Sequence, residues 1–225
     1  MNVDKTPKVI KNMFNNIANS YDLMNVIISL GTDKIIKTKC IESLKIPAKS
    51  KILDLCTGTG DLVEIMQAKY SKLEILAVDF SSKMLEIAKR RIKNVEFIEA
   101  DATNLLFEDE VFDFITVSYG LRNIQDRAKA INEMYRVLKT GGKVLHLDFG
   151  EKNFAGQVFE KVVPMFAQLL KKDYKSYEYL VKSKQTFPQP AELMKEFEMI
   201  GFDLYSRKDF LFKSISAQVF EKVVK

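Results

Sequence analysis

The 225-residue sequence has no tryptophan, one histidine, two cysteines and five prolines. Two cysteines, Cys40 and Cys56, are too few for a disulfide framework and lack zinc-ligand spacing, so both read as buried thiols and no metal site is expected. No run approaches the eighteen uncharged apolar residues that a membrane-spanning helix needs. The start, "MNVDKTPKVIKN", lacks the apolar core and small-residue cleavage site of a signal peptide, which predicts a cytoplasmic protein. Charge of one sign is also missing from the centre. Residues 51–150 carry 14 Lys/Arg against 16 Asp/Glu, while 1–50 carry 8 against 4 and 151–225 carry 13 against 10, for a net +5. A basic surface can meet nucleic acid or an anionic membrane. No arginine cluster or RNA-binding motif favours nucleic acid, and an ordinary lysine-rich solvated surface explains the excess most simply.

What is present is a hydrophobic fraction of 47%, enough for one substantial core. The middle of the sequence alternates strand-like and helix-like segments. Strands are expected at 51–56, 73–80, 95–101, 112–120 and 143–150. Helices are expected at 61–70, from the serines at 81–82 to about 92, and at 126–139, where "TGG" is a stop signal. Such alternation implies a mostly parallel sheet covered on both faces. The segment 7–25 places Val9, Met13, Phe14 and Ile17 on one helical face. After 150 the pattern becomes helical and aromatic, with Pro164 placed to kink or begin a helix. A further helix starts near the prolines of "FPQPAELMKEFEMIGF" and stops at Gly201, and a hairpin closes the fold.

The stretch "KILDLCTGTGDLVE" at 51–64 puts two glycines just after a buried strand. A Walker loop is excluded, because Gly60 is followed by Asp61 and Leu62 rather than Lys-Ser/Thr. A dinucleotide turn fits Gly58 and Gly60, but Val63 holds the place of the third glycine. Asp61 would also set a carboxylate where a pyrophosphate belongs. An acidic turn suits a cationic sulfonium ligand better, and S-adenosylmethionine is one. Asp79, ending the second strand, can accept ribose hydroxyls, although NAD would use it equally. The third strand ends in "EADAT", with Asp101 and Ala102 placed for adenine, and the fourth in "VSYGLRN". Four consecutive strand ends with suitable groups point together to one ligand at the carboxyl edge of the sheet.

The stretches "LDLCTGTGD", "VDFSSKML", "EADATNLLFEDEVFDFITVSYGLRNIQD" and "YRVLKTGGKVLHLDF" resemble class I S-adenosylmethionine-dependent methyltransferases. "YDLMNVIISLG", "GLRN" and "YEYLVKSKQTFPQPAELMKEFEMIGF" narrow the resemblance to the ubiquinone/menaquinone biosynthesis C-methyltransferases. It runs from near the N-terminus to about residue 202. It implies a Rossmann-like, mostly parallel seven-stranded sheet in one domain over 1–225. Within it come a helical cap (1–47), a donor-binding core (48–150), a lid insertion (151–186) and a closing helix and hairpin (187–225). It also implies donor contacts at Thr59, Asp79, Asp101, Ala102 and Ser118, which Asp54, Gly58, Gly60 and Phe80 extend at the same strand ends. The implied substrate is a polyprenyl quinol of the demethylmenaquinol or ubiquinol-precursor type, with S-adenosylhomocysteine as the second product. A peripheral membrane contact and a homodimer are the further associations expected.

Three departures bear on the acceptor. Asp33 and Ile36 stand where the family carries a histidine and then a tryptophan. Asp148, Phe149 and Gly150 replace a glutamate and following serine, and the tail lacks a histidine-bearing ending. Methylation of another aromatic or lipidic acceptor, or donor binding without catalysis, therefore stand as alternatives. For the chemistry, Arg122 can stabilise a developing phenolate and Asn123 can orient the ring or a water. Their plainer roles are an ion pair with a structural carboxylate and a cap for the helix near Asp126. Tyr21 and Asp22 could close the site from the N-terminal helix. His146, flanked by leucines in a mid-sheet strand, reads as a core histidine rather than a base. Phe154, Val158, Val162, Phe166 and Leu170 form a stripe that either packs in the core or lines a groove for a prenyl tail.

Overall fold

The computed structural model describes residues 4–29, 31–154, 156–157, 160 and 174–223. Seven strands form one sheet in the order β3-β2-β1-β4-β5-β7-β6. They are β1 (Lys51–Leu55), β2 (Glu74–Asp79), β3 (Glu96–Glu99), β4 (Phe112–Ser118), β5 (Leu138–Phe149), β6 (Phe202–Phe210) and β7 (Ile215–Lys222). β7 runs antiparallel to both β5 and β6, and the other pairings are parallel. The helices are α1 (Pro7–Ile28), α2 (Thr32–Ser43), α3 (Asp61–Lys69), α4 (Ser82–Arg91), α5 (Arg127–Val137), α6 (Tyr174–Thr186) and α7 (Pro190–Ile200). The expected class of sheet, the N-terminal helix and the closing hairpin are all present.

Continuous burial along β1, with Ile52, Leu53 and Leu55 fully covered, follows from its central position with helices over both faces. On one face the core gathers α2, α3 and α4 through Ile41, Val63, Met66 and Ala88. On the other, α5 and α7 bring Ile131, Met134 and Phe197 against Phe112, Phe202 and Phe220. Phe197 and Phe220 stack in parallel at 4.0 Å, so α7 is pinned to the antiparallel edge of the sheet.

Local signals set the helix boundaries. Ser81 caps α4 by accepting from Met84 N at 3.2 Å, and Asp126 caps α5 by accepting from Lys129 N at 2.9 Å. The capping role weighed for Asn123 thus belongs to Asp126. α7 begins at Pro190 and ends where Gly201 takes a φ of 123°. α5 stops at Val137, before the "TGG" signal, because Glu110 N and Val111 N capture the carbonyls of Arg136 and Val137. β5 consequently starts at Leu138, five residues ahead of the expected strand. Val158, Val162, Pro164, Phe166 and Leu170 lie outside the described residues. Phe154 is described and is 79% exposed.

His146 is buried on β5 between the rings of Phe187 and Phe197, with neither ring nitrogen hydrogen-bonded. Burial, and then the nearby Arg122 and Arg127 charges, push it down to about 3. The unfolded protein takes up that proton near pH 6.5, so the imidazole costs stability progressively as pH falls from 6.5 towards 3. We expect denaturant unfolding of His146→Leu to lack an acid loss of about 1.4 kcal/mol per pH unit that the parent shows there. Parallel pH curves for the two proteins would contradict a neutral, dry histidine.

Candidate active site

The sheet order reverses between β1 and β4, and a cavity enclosing about 310 Å³ opens at the carboxyl ends of the strands there. Its floor is the glycine turn. Gly60 adopts a φ of 90°, and a Cβ at that position would come within 2.4 Å of the Ile92 side chain, so only glycine lets α3 start so close to α4. Cys56 and Tyr119, the first residues after β1 and β4, have φ of 55° and 53°, left-handed values that non-glycine residues adopt at some cost. Both line the cavity, and Gly120 packs on Cys56 where a Cβ would come within 2.3 Å.

Six of the nine expected donor-site residues line this cavity: Gly58, Asp79, Phe80, Asp101, Ala102 and Ser118. The Asp79 carboxylate accepts from Gly58 N and Ser81 N, both at 2.8 Å, and so ties the glycine turn to the start of α4. Burial raises its pKa, while those backbone donors favour the charged form. Asp101 accepts from Thr103 N at 2.8 Å, which fixes the turn after β3. Ser118 Oγ has no partner.

The other three stand behind the cavity. Asp54 is buried, accepting from Thr57 Oγ1 at 2.6 Å and Thr116 Oγ1 at 2.5 Å. Thr59 is also buried and donates to Asp22 Oδ1 at 2.6 Å. Gly60 serves as the N-cap of α3. Asp61 departs from expectation as well. Its carboxylate is held by Lys37 Nζ at 3.0 Å and Arg91 Nη2 at 3.3 Å, outside the cavity lining, so it is neutralised rather than presented to a cation.

α1 roofs the cavity with Ile10, Phe14 and Tyr21. Asp22 fastens this roof, bonding Thr59 of the turn and Arg91 Nη1 of α4 at 2.8 Å. Lys5, just ahead of α1, is a lining residue that no sequence pattern marked. Burial, then the Arg127 and Arg122 charges, lower its pKa. The departure at Asp33 has a partner of its own. Lys37, buried at 5% exposure, bridges Asp33 at 2.6 Å and Asp61. Burial opposes its charge, but the two carboxylates outweigh that and raise the ammonium above the ordinary lysine value.

Arg122 and Asn123 occupy a short 3-10 turn, Leu121–Asn123, directly after β4. Asn123 lines the cavity with Oδ1 unpartnered, and its Nδ2 donates to Tyr119 O at 3.2 Å. Arg122 lies deeper, its Nη1 donating to Tyr119 O at 2.6 Å and Asp148 Oδ1 at 3.0 Å. The structural-carboxylate role of Arg122 is therefore realised, and its Nε remains free. Among the described residues, no cluster of His, Cys, Asp and Glu could hold a metal.

A seven-stranded sheet in this order, with an acid-edged cavity at its switch point, defines a class I S-adenosylmethionine-dependent methyltransferase. The fold is shared with a solved S-adenosylmethionine-dependent methyltransferase, possible histamine N-methyltransferase, from Thermotoga maritima. That match has a TM-score of 0.74 at 21% identity and covers 95% of this protein and 99% of the other. The ubiE/COQ5 methyltransferase family model matches residues 1–219, and the protein belongs to that family. It is 39% identical over 207 residues to a demethylmenaquinone methyltransferase of Thermotoga maritima, covering 89% of this protein and 90% of the relative. It is 36% identical to a ubiquinone/menaquinone biosynthesis C-methyltransferase UbiE of Campylobacter jejuni, covering 98% and 100%. S-adenosylmethionine is accordingly its cosubstrate, and the half-buried acids Asp79 and Asp101 in the cavity lining fit a polar ligand of that kind.

Hydrogen bonds to a charged group are worth about 1.5–3 kcal/mol each, so Asp79→Ala should weaken S-adenosylhomocysteine binding by at least about tenfold in calorimetric titration. An unchanged Kd would remove Asp79 from the donor site.

Proposed function

We propose that this protein transfers a methyl group to a ring carbon of a polyprenyl quinol of the demethylmenaquinol or ubiquinol-precursor type. The observation that carries the reading is its likeness, over nearly the full length of both sequences, to relatives bearing those names. The donor's ribose is assigned to Asp79 and its adenine to Asp101 and Ala102, with Gly58, Phe80 and Ser118 completing the pocket. Asp54, Thr59 and Gly60 hold the turn in shape from behind.

The bound donor supplies an electrophilic methyl group. The protein's task is to hold an electron-rich ring carbon in line with it, exclude water and manage the ring hydroxyl's proton. Asn123, a residue of the cavity lining, orients the ring. Arg122 lends positive potential to a developing phenolate from a buried position, where a charge is felt more strongly than in water. Turnover of a short-chain demethylmenaquinol, followed by release of S-adenosylhomocysteine, tests this directly. Donor binding with no turnover of quinols but turnover of other phenols would move the acceptor to a different aromatic class.

No helix among the described residues is long and apolar enough to cross a membrane. A quinol with a prenyl tail must still be collected from lipid, and we assign that contact to the β6–β7 hairpin. Phe212, 90% exposed, and Leu211 project from its tip beside Lys213. Phe154 lies on the adjoining segment, where Asn153 Nδ2 donates to Phe212 O at 2.8 Å. Apolar tips flanked by lysine suit an anionic bilayer surface. Co-sedimentation with phosphatidylglycerol vesicles should fall on raising salt and in Phe212→Ser. Equal sedimentation of parent and variant would rule the hairpin out.

A further inference from the structure

Buried polar atoms are nearly always hydrogen-bonded, so those that are not point to a missing partner. Among the described residues, apart from the His146 ring, the buried side-chain atoms without a partner belong to Ser118, Arg122, Asn123, Asp148, Tyr179 and Ser216. They are not scattered. Ser118 and Asn123 line the donor cavity, and Arg122 links that edge to Asp148 through the 3.0 Å ion pair. Asp148 and Ser216 stand opposite each other in the antiparallel register of β5 and β7. Tyr179 comes from α6, which packs on the 3-10 turn. Arg122, Asn123, Asp148 and Ser216 are each at least nine-tenths buried. Asp148 Oδ1 is engaged by Arg122 Nη1 and Phe149 N, which leaves Oδ2 free.

We propose that this row receives a hydroxyl oxygen of a phenolic acceptor, with Asp148 Oδ2 as the general base and Ser216 Oγ hydrogen-bonding the same oxygen. The proposal rests on the quinol reading above and gives it a base. The carboxylate takes the proton of the ring hydroxyl while the adjacent ring carbon bonds to the donor methyl. The methyl–sulfur bond breaks, and its electron pair stays on sulfur. Loss of that carbon's own hydrogen as a proton restores the aromatic ring, and the oxygen regains a proton from Asp148. The balance is one methyl moved and one proton released.

The surroundings of Asp148 suit the role. Burial raises its pKa, while Arg122 from the 3-10 turn and Lys5 from the N-terminal segment pull it back. Tyr119 and Cys56, from the ends of β4 and β1, also feel its charge and are held neutral by burial. A carboxyl group whose proton affinity is drawn upward is a stronger base than one in water.

The test has a kinetic arm and a binding arm. Turnover of short-chain demethylmenaquinol by Asp148→Asn should fall about 100-fold or more, with the acid limb of the pH profile of kcat/KM gone and S-adenosylhomocysteine binding retained. Asp148→Glu should restore the limb. Retained turnover with an unchanged profile in Asp148→Asn would overturn the proposal. Because loss of Asp148 leaves Arg122 buried and unpaired, Ser216→Ala provides a second variant that breaks no bond in the unliganded protein. The S-adenosylhomocysteine-loaded enzyme is titrated with 1,4-dihydroxynaphthalene, a bare quinol headgroup. Binding that weakens about tenfold in Ser216→Ala, with unchanged thermal midpoint, supports the row. Equal binding by parent and variant overturns this inference alone, whereas no binding by the parent overturns the quinol reading with it.

Discussion

The cavity depends on one buried carboxylate that stands behind its lining. Asp54 lies in the central strand, where burial pushes its carboxyl up to about 6 and the hydroxyls of Thr116 and Thr57 hold it back from rising further. Through those two bonds it joins β1 to β4 and clamps the start of the glycine turn. Everything built on that turn inherits its position: the start of α3, the Gly58 N–H that Asp79 receives, and the contact of Cys56 with Gly120. A charge so placed is tolerable only because both oxygens are hydrogen-bonded. Asp54 thus shapes the pocket from behind, as Asp79 shapes it from the side.

A second constraint lies in the ionic network around the turn. Asp33, Lys37, Asp61, Arg91 and Asp22 connect α2, α3, α4 and α1 in sequence, ending on Thr59. Only the Asp33–Lys37 end of this network is buried, and its half-exposed links through Arg91 tie the roof helix to α3 and α4. It also explains how Asp33 can stand where the family carries a histidine. Lys37, one helical turn later, pairs with the aspartate and keeps its charge from standing alone. The acidity of the "GTGDLVE" stretch is consumed internally, and the acids of the cavity lining are Asp79 and Asp101 after β2 and β3 together with Asp126 ahead of α5.

Much of this was legible in the sequence because it is local. A serine before an apolar helix caps it, a glycine after one stops it, and strand ends carrying Asp79, Asp101 and Ser118 converge once the sheet is parallel. The limits are equally physical. Nothing within a few residues of Asp54 or Thr59 says that their partners are Thr116 and Asp22, so a motif that marks the turn cannot tell its lining from its backing. The early end of α5 depends on backbone donors at 110–111, on the far side of a strand. Asp148 and Ser216 become neighbours only through the β5–β7 register, across 68 positions of sequence. Lys5 precedes the first helix with no periodic signal to mark it.

On the proposed reading, the frame around the glycine turn serves the donor and the row of unpartnered polar atoms serves the acceptor, with Arg122 between them. The central claim is that the methyl goes to a ring carbon beside a hydroxyl held by that row. Carbon-13 NMR of the product formed from methyl-labelled S-adenosylmethionine and a short-chain demethylmenaquinol tests it most directly. One labelled signal in the aromatic C-methyl region is the predicted result. Label appearing instead in the methoxy region, on oxygen, would contradict it.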